Sequence, residues 1–280
     1  MKTRLPRFSR SAILSLSLAL ALAAPAAFCQ DWAKQKLDKS PRHQEWVKVT
    51  YGSRTPSGRT IDAFVVYPEV SHKAPVVLLI HEIFGLSDWA RSMADDIAAM
   101  GYIVVAPDLL SGMGPNGGGT SSFPDTQAAV KAVSGLNADT VTADLNAAAD
   151  YALKFPAANG RLAVVGFCWG GGQSFLYATQ RKDLSAAFVF YGPPPPTESF
   201  AGITAPVYGF YGGNDARITA TVPATKEAMA AASKKYDAVI YDGAGHGFMR
   251  AGEDPANAIP ANTTARTEGL KLLEALLEGM

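Results

Sequence analysis

The chain has 280 residues, 25 basic and 25 acidic side chains, and 48 % hydrophobic residues. That length suits one globular domain of the larger α/β kind, able to bury its core without disulfide or metal staples. The balanced charge excludes the footprint of a nucleic-acid binder or of a protein held on an anionic membrane surface, so neither partner is expected.

The first residues, "MKTRLPRFSR", carry Lys2, Arg4, Arg7 and Arg10, and "SAILSLSLALALAAPAAF" follows, apolar and small. This reads as a secretory signal peptide over residues 1–29, cleaved after Ala26 or Cys29. An uncleaved anchor is the weaker reading, because the apolar run is short for a span and is broken by Pro25. The mature protein is expected to be periplasmic or secreted, with no membrane attachment after cleavage. Of the two cysteines, Cys29 is removed or lies on a polar tail, so Cys168 is not expected in a disulfide.

Residues 30–44 are polar without a clear period and read as an N-terminal arm, and residues 45–280 as a single domain. "EWVKVTY" and "TIDAFVVYP" are predicted strands joined by a turn-rich segment, an antiparallel pair at a sheet edge. From Pro75 six short apolar runs follow: "PVVLLIH", "GYIVVAPD", "LAVVGF", "AAFVFYG", "PVYGFYG" and "YDAVIYDG". Continuous apolar runs suit parallel strands buried on both faces. Helical segments alternate with them: "SDWARSMADDIAAM" with Ser87 as N-cap, "TADLNAAADYALKF" stopped by Pro156, "GGQSFLYATQ", a stretch around Pro223, and "TTARTEGLKLLEALLEG". The pattern predicts an α/β fold with a mostly parallel sheet of about eight strands and helices on both faces. The loop from Leu109 to Asp125, with its Gly-rich part at 112–119, is too rich in Gly and Pro for regular structure, and so long a loop is more often functional than not. "GPPPPTES" reads as stiff and extended.

"LAVVGFCWGGG" carries the chemistry. An apolar strand runs into Gly166-Phe167-Cys168-Trp169-Gly170 and a helix follows. Glycines two residues either side of Cys168 let strand and helix pass closely around a sharp turn, a nucleophile elbow with cysteine at its tip. The helix end favours a thiolate, and the Trp169 N–H is placed as an oxyanion donor. A base and an acid are needed. His43 and His72 lie away from the strand ends, and His81 precedes the elbow. His246, in a glycine-rich loop after the last strand, fits the order nucleophile, acid, histidine. Asp215 follows a strand between the two; Asp242 is its rival. Glu82 directly follows a buried strand, where a carboxylate is a poor core residue, and the Ile83 N–H beside it is the candidate second oxyanion donor.

These segments resemble the dienelactone hydrolase (carboxymethylenebutenolidase) family of α/β hydrolases. The resemblance runs from about Glu45 to the C-terminus through "HEIFGL", "GYIVVAPDLL", "GFCWGGG", "FYGGND" and "GAGHGFMR". It implies an α/β-hydrolase fold and a Cys168–His246–Asp215 triad hydrolysing lactones or small esters through a thioester. It also implies that Glu82 helps deprotonate the thiol when substrate binds, that Arg250 contacts an anionic substrate group, and that Tyr191 and Trp169 line the pocket. No cofactor or metal is implied, and a monomer is expected. The family's second substrate-binding arginine aligns with Gly112; Arg91 and Arg217 are the candidate substitutes. A non-catalytic small-molecule binding protein on the same scaffold is the alternative. A redox-active thiol ranks last, for want of a resolving cysteine.

Overall fold

The computed structural model describes residues 30–52 and 58–280. The signal segment and Cys29 lie outside the described residues. Eight strands form one sheet in the order β1-β2-β4-β3-β5-β6-β7-β8. They are β1 (Gln44–Tyr51), β2 (Arg59–Val66), β3 (Ala74–Ile80), β4 (Ile103–Pro107), β5 (Ala158–Phe167), β6 (Leu184–Phe190), β7 (Val207–Gly212) and β8 (Tyr236–Tyr241). β1 pairs antiparallel with β2 and β2 antiparallel with β4, while β4, β3, β5, β6, β7 and β8 run parallel.

The apolar runs are continuous because alternate residues feed opposite cores. Val77, Leu79, Val165 and Phe188 face one helical layer, with Trp89, Met93 and Ile97 of α2 (Asp88–Ala99) and Leu273 and Leu277 of α9 (Pro260–Glu278). Val76, Leu78, Val164 and Val189 face the other, with Val141 and Leu145 of α4 (Ala138–Ala152), Phe175 of α5 (Trp169–Gln180) and Met229 of α7 (Val222–Ala231). A strand covered on both faces has no solvent side to alternate with. The predicted cap holds: Ser87 accepts from the Ala90 N–H at the start of α2.

Five helices differ from the expected pattern. The arm contains a helix, α1 (Asp31–Asp38), which buries only Ala33 and Leu37 against α2. Ion pairs hold it: Lys36 reaches Glu253 at 2.6 Å, and just beyond it Arg42 reaches Asp95 at 2.5 Å. A further helix, α3 (Thr126–Ser134), directly follows the long loop and starts on an Asp125 cap. Helix α5 begins at Trp169, immediately after Cys168, rather than three residues later. Two four-residue helices, α6 (Ala216–Thr219) and α8 (Phe248–Ala251), follow Asp215 and Gly247.

Candidate active site

The predicted residues come from the C-terminal ends of parallel strands: Glu82 and Ile83 after β3, Cys168 after β5, Tyr191 after β6, Asp215 after β7 and His246 after β8. This is the edge at which open α/β sheets place ligands. Cys168 sits at φ 57°, ψ −117°, a backbone that a side-chain-bearing residue rarely adopts. Such strain persists only where the surroundings over-determine it. The glycines show how. A Cβ on Gly166 would lie 1.9 Å from the Gly170 carbonyl oxygen, and one on Gly170 only 2.3 Å from the His81 carbonyl oxygen. Strand β5, helix α5 and the end of β3 therefore touch backbone to backbone around the cysteine.

His246 joins the site from the loop after β8, the edge strand three places from β5. Its Nε2 lies 3.1 Å from Cys168 Sγ, and its Nδ1 lies 2.5 Å from Asp215 Oδ2. The contact with the sulfur raises the imidazole, burial opposes it, and the buried Asp215 carboxylate adds to the rise, so His246 is pushed up to about 9. Nδ1 faces the carboxylate and Nε2 the sulfur, so the ring can exchange a proton with the sulfur while the carboxylate supports its charge. Asp242, the rival acid, is exposed. A sulfur, an imidazole and an orienting carboxylate in hydrogen-bonded sequence are the groups that nucleophilic acyl transfer requires.

Glu82 is 2 % exposed. Its Oε2 accepts from Arg250 Nε at 2.8 Å, and the Tyr191 hydroxyl lies 3.4 Å from its Oε1. Arg250 is thus engaged by a carboxylate, with its guanidinium 5.0 Å from the centre of the Phe84 ring. Burial works against its charge, yet the Glu82 carboxylate holds it above the ordinary arginine value. Tyr191 is fully buried, edge-on to His246 at 5.2 Å. Burial, and then the Glu82 charge, push its phenol well above the usual range. Trp169 is half-buried, and its N–H opens α5, where no intrahelical acceptor exists.

His81, which precedes the elbow in the chain, has a place other than that of a base. It is fully buried, stacks on Trp169 with ring centres 5.6 Å apart, and its Nδ1–H donates to the Glu82 carbonyl at 2.8 Å. Its Nε2 has no hydrogen-bond partner among the described residues. Burial lowers its pKa, which keeps the ring neutral. The Glu82 carbonyl and the Ile83 N–H belong to one trans peptide and point in opposite directions. Fixing the carbonyl from one side therefore aims the Ile83 N–H to the other. The sequence signal was the one that exposed Glu82: a titratable residue ending an apolar strand.

Gly112, aligned with the absent arginine, is exposed at φ 76°, in the left-handed region that favours glycine. Arg91 is paired with Asp88 and lies over the Trp46 and Phe64 rings. Arg217 is exposed on α6. Among the described residues no cluster of three or more His, Cys, Asp or Glu is placed to hold a metal ion, and no helix is long and apolar enough to cross a membrane.

An eight-stranded, mostly parallel sheet with a strained elbow and a histidine–carboxylate pair at its C-terminal edge defines an α/β hydrolase. The model of the dienelactone hydrolase family matches residues 61–278, and the chain belongs to that family. It is a carboxylic ester hydrolase. Carboxymethylenebutenolidase 1 of Cupriavidus pinatubonensis is 28 % identical over 222 residues, 79 % of this chain and 94 % of that one. A Salmonella typhimurium relative named for the same activity is 34 % identical over 205 residues, 68 % of this chain and 74 % of its own length. A solved Klebsiella pneumoniae structure of dienelactone-hydrolase type superposes with a TM-score of 0.66 at 27 % identity, covering 82 % of this chain and 98 % of that one.

Proposed function

We propose that the protein hydrolyses lactones or small carboxylic esters through a thioester on Cys168. The Cys168 thiol gives its proton to His246 Nε2, the sulfur bonds to the substrate carbonyl carbon, and the tetrahedral oxyanion is held by the Ile83 and Trp169 N–H groups. On collapse the carbon–oxygen single bond breaks, and the His246 imidazolium gives its proton to the leaving alkoxide. The neutral imidazole then takes a proton from water, the resulting hydroxide attacks the thioester, and the acid and the sulfur are released. Asp215 holds the ring in place and supports its charge. The observation that carries this reading is the 3.1 Å contact between Cys168 Sγ and His246 Nε2 at a backbone strained to present that sulfur.

Glu82 and Arg250 give the site a latent second carboxylate. An anionic substrate group that draws the Arg250 guanidinium away frees Glu82 to help deprotonate the thiol, relaying the proton to His246, in line with the family resemblance. The basic and apolar segments before Gln30 support export to the periplasm or beyond. Hydrolysis of p-nitrophenyl acetate and of simple lactones is expected in the wild type and abolished in Cys168→Ala, with an acyl adduct on Cys168 detected by mass spectrometry after acid quench. Full activity in Cys168→Ala would refute the mechanism.

A further inference from the structure

A separate space opens on the Arg250 side of Glu82. A cavity of about 870 Å³ begins at Phe84 and Arg250 and is walled by Trp32 of α1, Trp46 of β1, Phe123 of the long loop and Arg91 of α2. Its volume lies in the range of about 300–1,000 Å³ of sites that bury drug-sized ligands, far more than a single small lactone ring fills. Cys168 and His246 are not in its walls. The link is Phe84, which directly follows Ile83, and Arg250, which holds Glu82.

The walls are built by pinned segments. The arm is fixed by the Gln30 side chain, whose oxygen accepts the Trp89 N–H at 2.8 Å, and by the Lys36 and Arg42 ion pairs. The long loop is fixed by buried Asp108, which accepts from the Leu110 N–H at 3.1 Å and from the Thr120 hydroxyl and N–H at 2.7 Å each. Thr120 in turn accepts from the Leu86 N–H at 3.0 Å. Trp46 is nonetheless 50 % exposed. The indole therefore keeps solvent-facing surface at the cavity wall.

The charges say what kind of group fits. Arg91 is neutralised by Asp88, Arg250 by Glu82, Asp108 by three donors, and Asp254 accepts the Ala256 N–H at 2.8 Å. Each charge in the wall has its partner, so a second anion would enter beside an existing carboxylate and meet no net positive charge. Trp32 and Phe123, with the faces of Trp46 and Phe84 turned from their guanidinium partners, offer aromatic surface that needs no free charge. We propose that this cavity receives an uncharged aromatic group carried on the ester or lactone that Cys168 attacks; the inference rests on the hydrolase reading of Cys168.

The experiment compares a γ-methyl with a γ-naphthyl butyrolactone in wild type, Trp46→Ala and Phe123→Ala. The wild type is expected to turn over the naphthyl lactone with at least tenfold higher kcat/KM. Each variant should lose about tenfold on it, through KM, and stay within twofold on the methyl lactone. Equal rates on both lactones in wild type, or equal losses on both in the variants, would overturn the proposal. Calorimetry with the corresponding γ-lactams on Cys168→Ala separates the two readings. Naphthyl-lactam binding that disappears on adding Trp46→Ala upholds the cavity even if no lactone is hydrolysed, in which case the hydrolase reading alone fails. Lactone turnover with no preference for the naphthyl over the methyl lactam leaves the hydrolase reading standing and overturns the cavity proposal. A carboxylated naphthyl lactam that binds tenfold tighter, with the gain lost on adding Arg91→Gln, would overturn the assignment to an uncharged group.

Discussion

Arg250→Met is expected to destabilise the protein even though the residue lies at its surface rim. The substitution keeps the apolar stem and removes the guanidinium. Glu82, 2 % exposed, is then left with one long contact, the Tyr191 hydroxyl at 3.4 Å. Breaking a buried pair from one side costs about 3–5 kcal/mol, because the remaining charge is uncompensated. Arg250 is itself partly exposed, so the lower end applies, about 3 kcal/mol. At about 2–4 °C per kcal/mol for a domain of this size, Tm should fall by about 6–12 °C. Glu82→Gln alone should cost less, because the abandoned guanidinium can reach water. Adding Glu82→Gln to Arg250→Met should restore most of the loss, with a coupling energy of about 2 kcal/mol. Thermal unfolding of the four proteins at pH 7 reads this directly. A Tm for Arg250→Met within 2 °C of wild type, or a double variant no more stable than Arg250→Met, would refute the view of Glu82 as a buried charge held in check by Arg250.

Three further outcomes are expected. The His246 ring, followed by NMR, should titrate near 9 and move down in Cys168→Ala, because the contact with the sulfur is the largest cause of its rise; an unmoved midpoint rejects that cause. Its native value lies above the unfolded one, so its contribution to stability is full below about pH 6.5 and fades as pH rises toward 9; wild-type Tm should fall over that window relative to His246→Asn. Gly170→Ala would place a Cβ 2.3 Å from the His81 carbonyl oxygen and 2.4 Å from that of Ile80; overpacking against backbone costs about 1–3 kcal/mol, and moving the elbow by even 1 Å should cut kcat/KM about 100-fold. His81→Phe keeps a ring against Trp169 but loses the donor to the Glu82 carbonyl, so kcat should fall about 10- to 100-fold, with KM within twofold and partial rescue in His81→Gln; an unchanged kcat would show that the Ile83 peptide needs no such anchor.

The parts of the site legible in the sequence were those fixed by local geometry. Gly166 and Gly170 flank Cys168 because backbone passes there within van der Waals contact, and only glycine allows it. Asp215 and His246 could be placed because each follows an apolar run that had to be a strand. What stayed hidden depends on distance along the chain. Arg250 and Glu82 are 168 residues apart, and no periodicity announces their pairing. Helix α1 buries two residues four positions apart, too narrow a stripe to stand out from a polar arm. Helix α3 follows the Gly- and Pro-rich loop so closely that its Asp125 cap reads as part of the loop. His81 was visible but weighed only as a base; its contacts with the Glu82 carbonyl and the Trp169 ring are made by a strand end and an elbow that meet only in the fold.

The missing second arginine and the occupied first one bear on the same question of affinity. Gly112 sits at a φ where arginine would be strained, and Arg91 is held between Asp88 and two aromatic rings. A substrate carboxylate thus has Arg250 to meet, and drawing its guanidinium away means taking the place of Glu82 at Nε. One carboxylate is exchanged for another, so most of the Coulombic gain cancels against the pair that is lost. Anion binding at this position can therefore trigger the release of Glu82, but it supplies little net affinity. The affinity must come from surface that is not already satisfied. Phe84, Phe123, Trp32 and Trp46 offer it on the far side of the same guanidinium. A substrate with a flat apolar group would gain binding there, and an attached anion would be needed only to move Arg250.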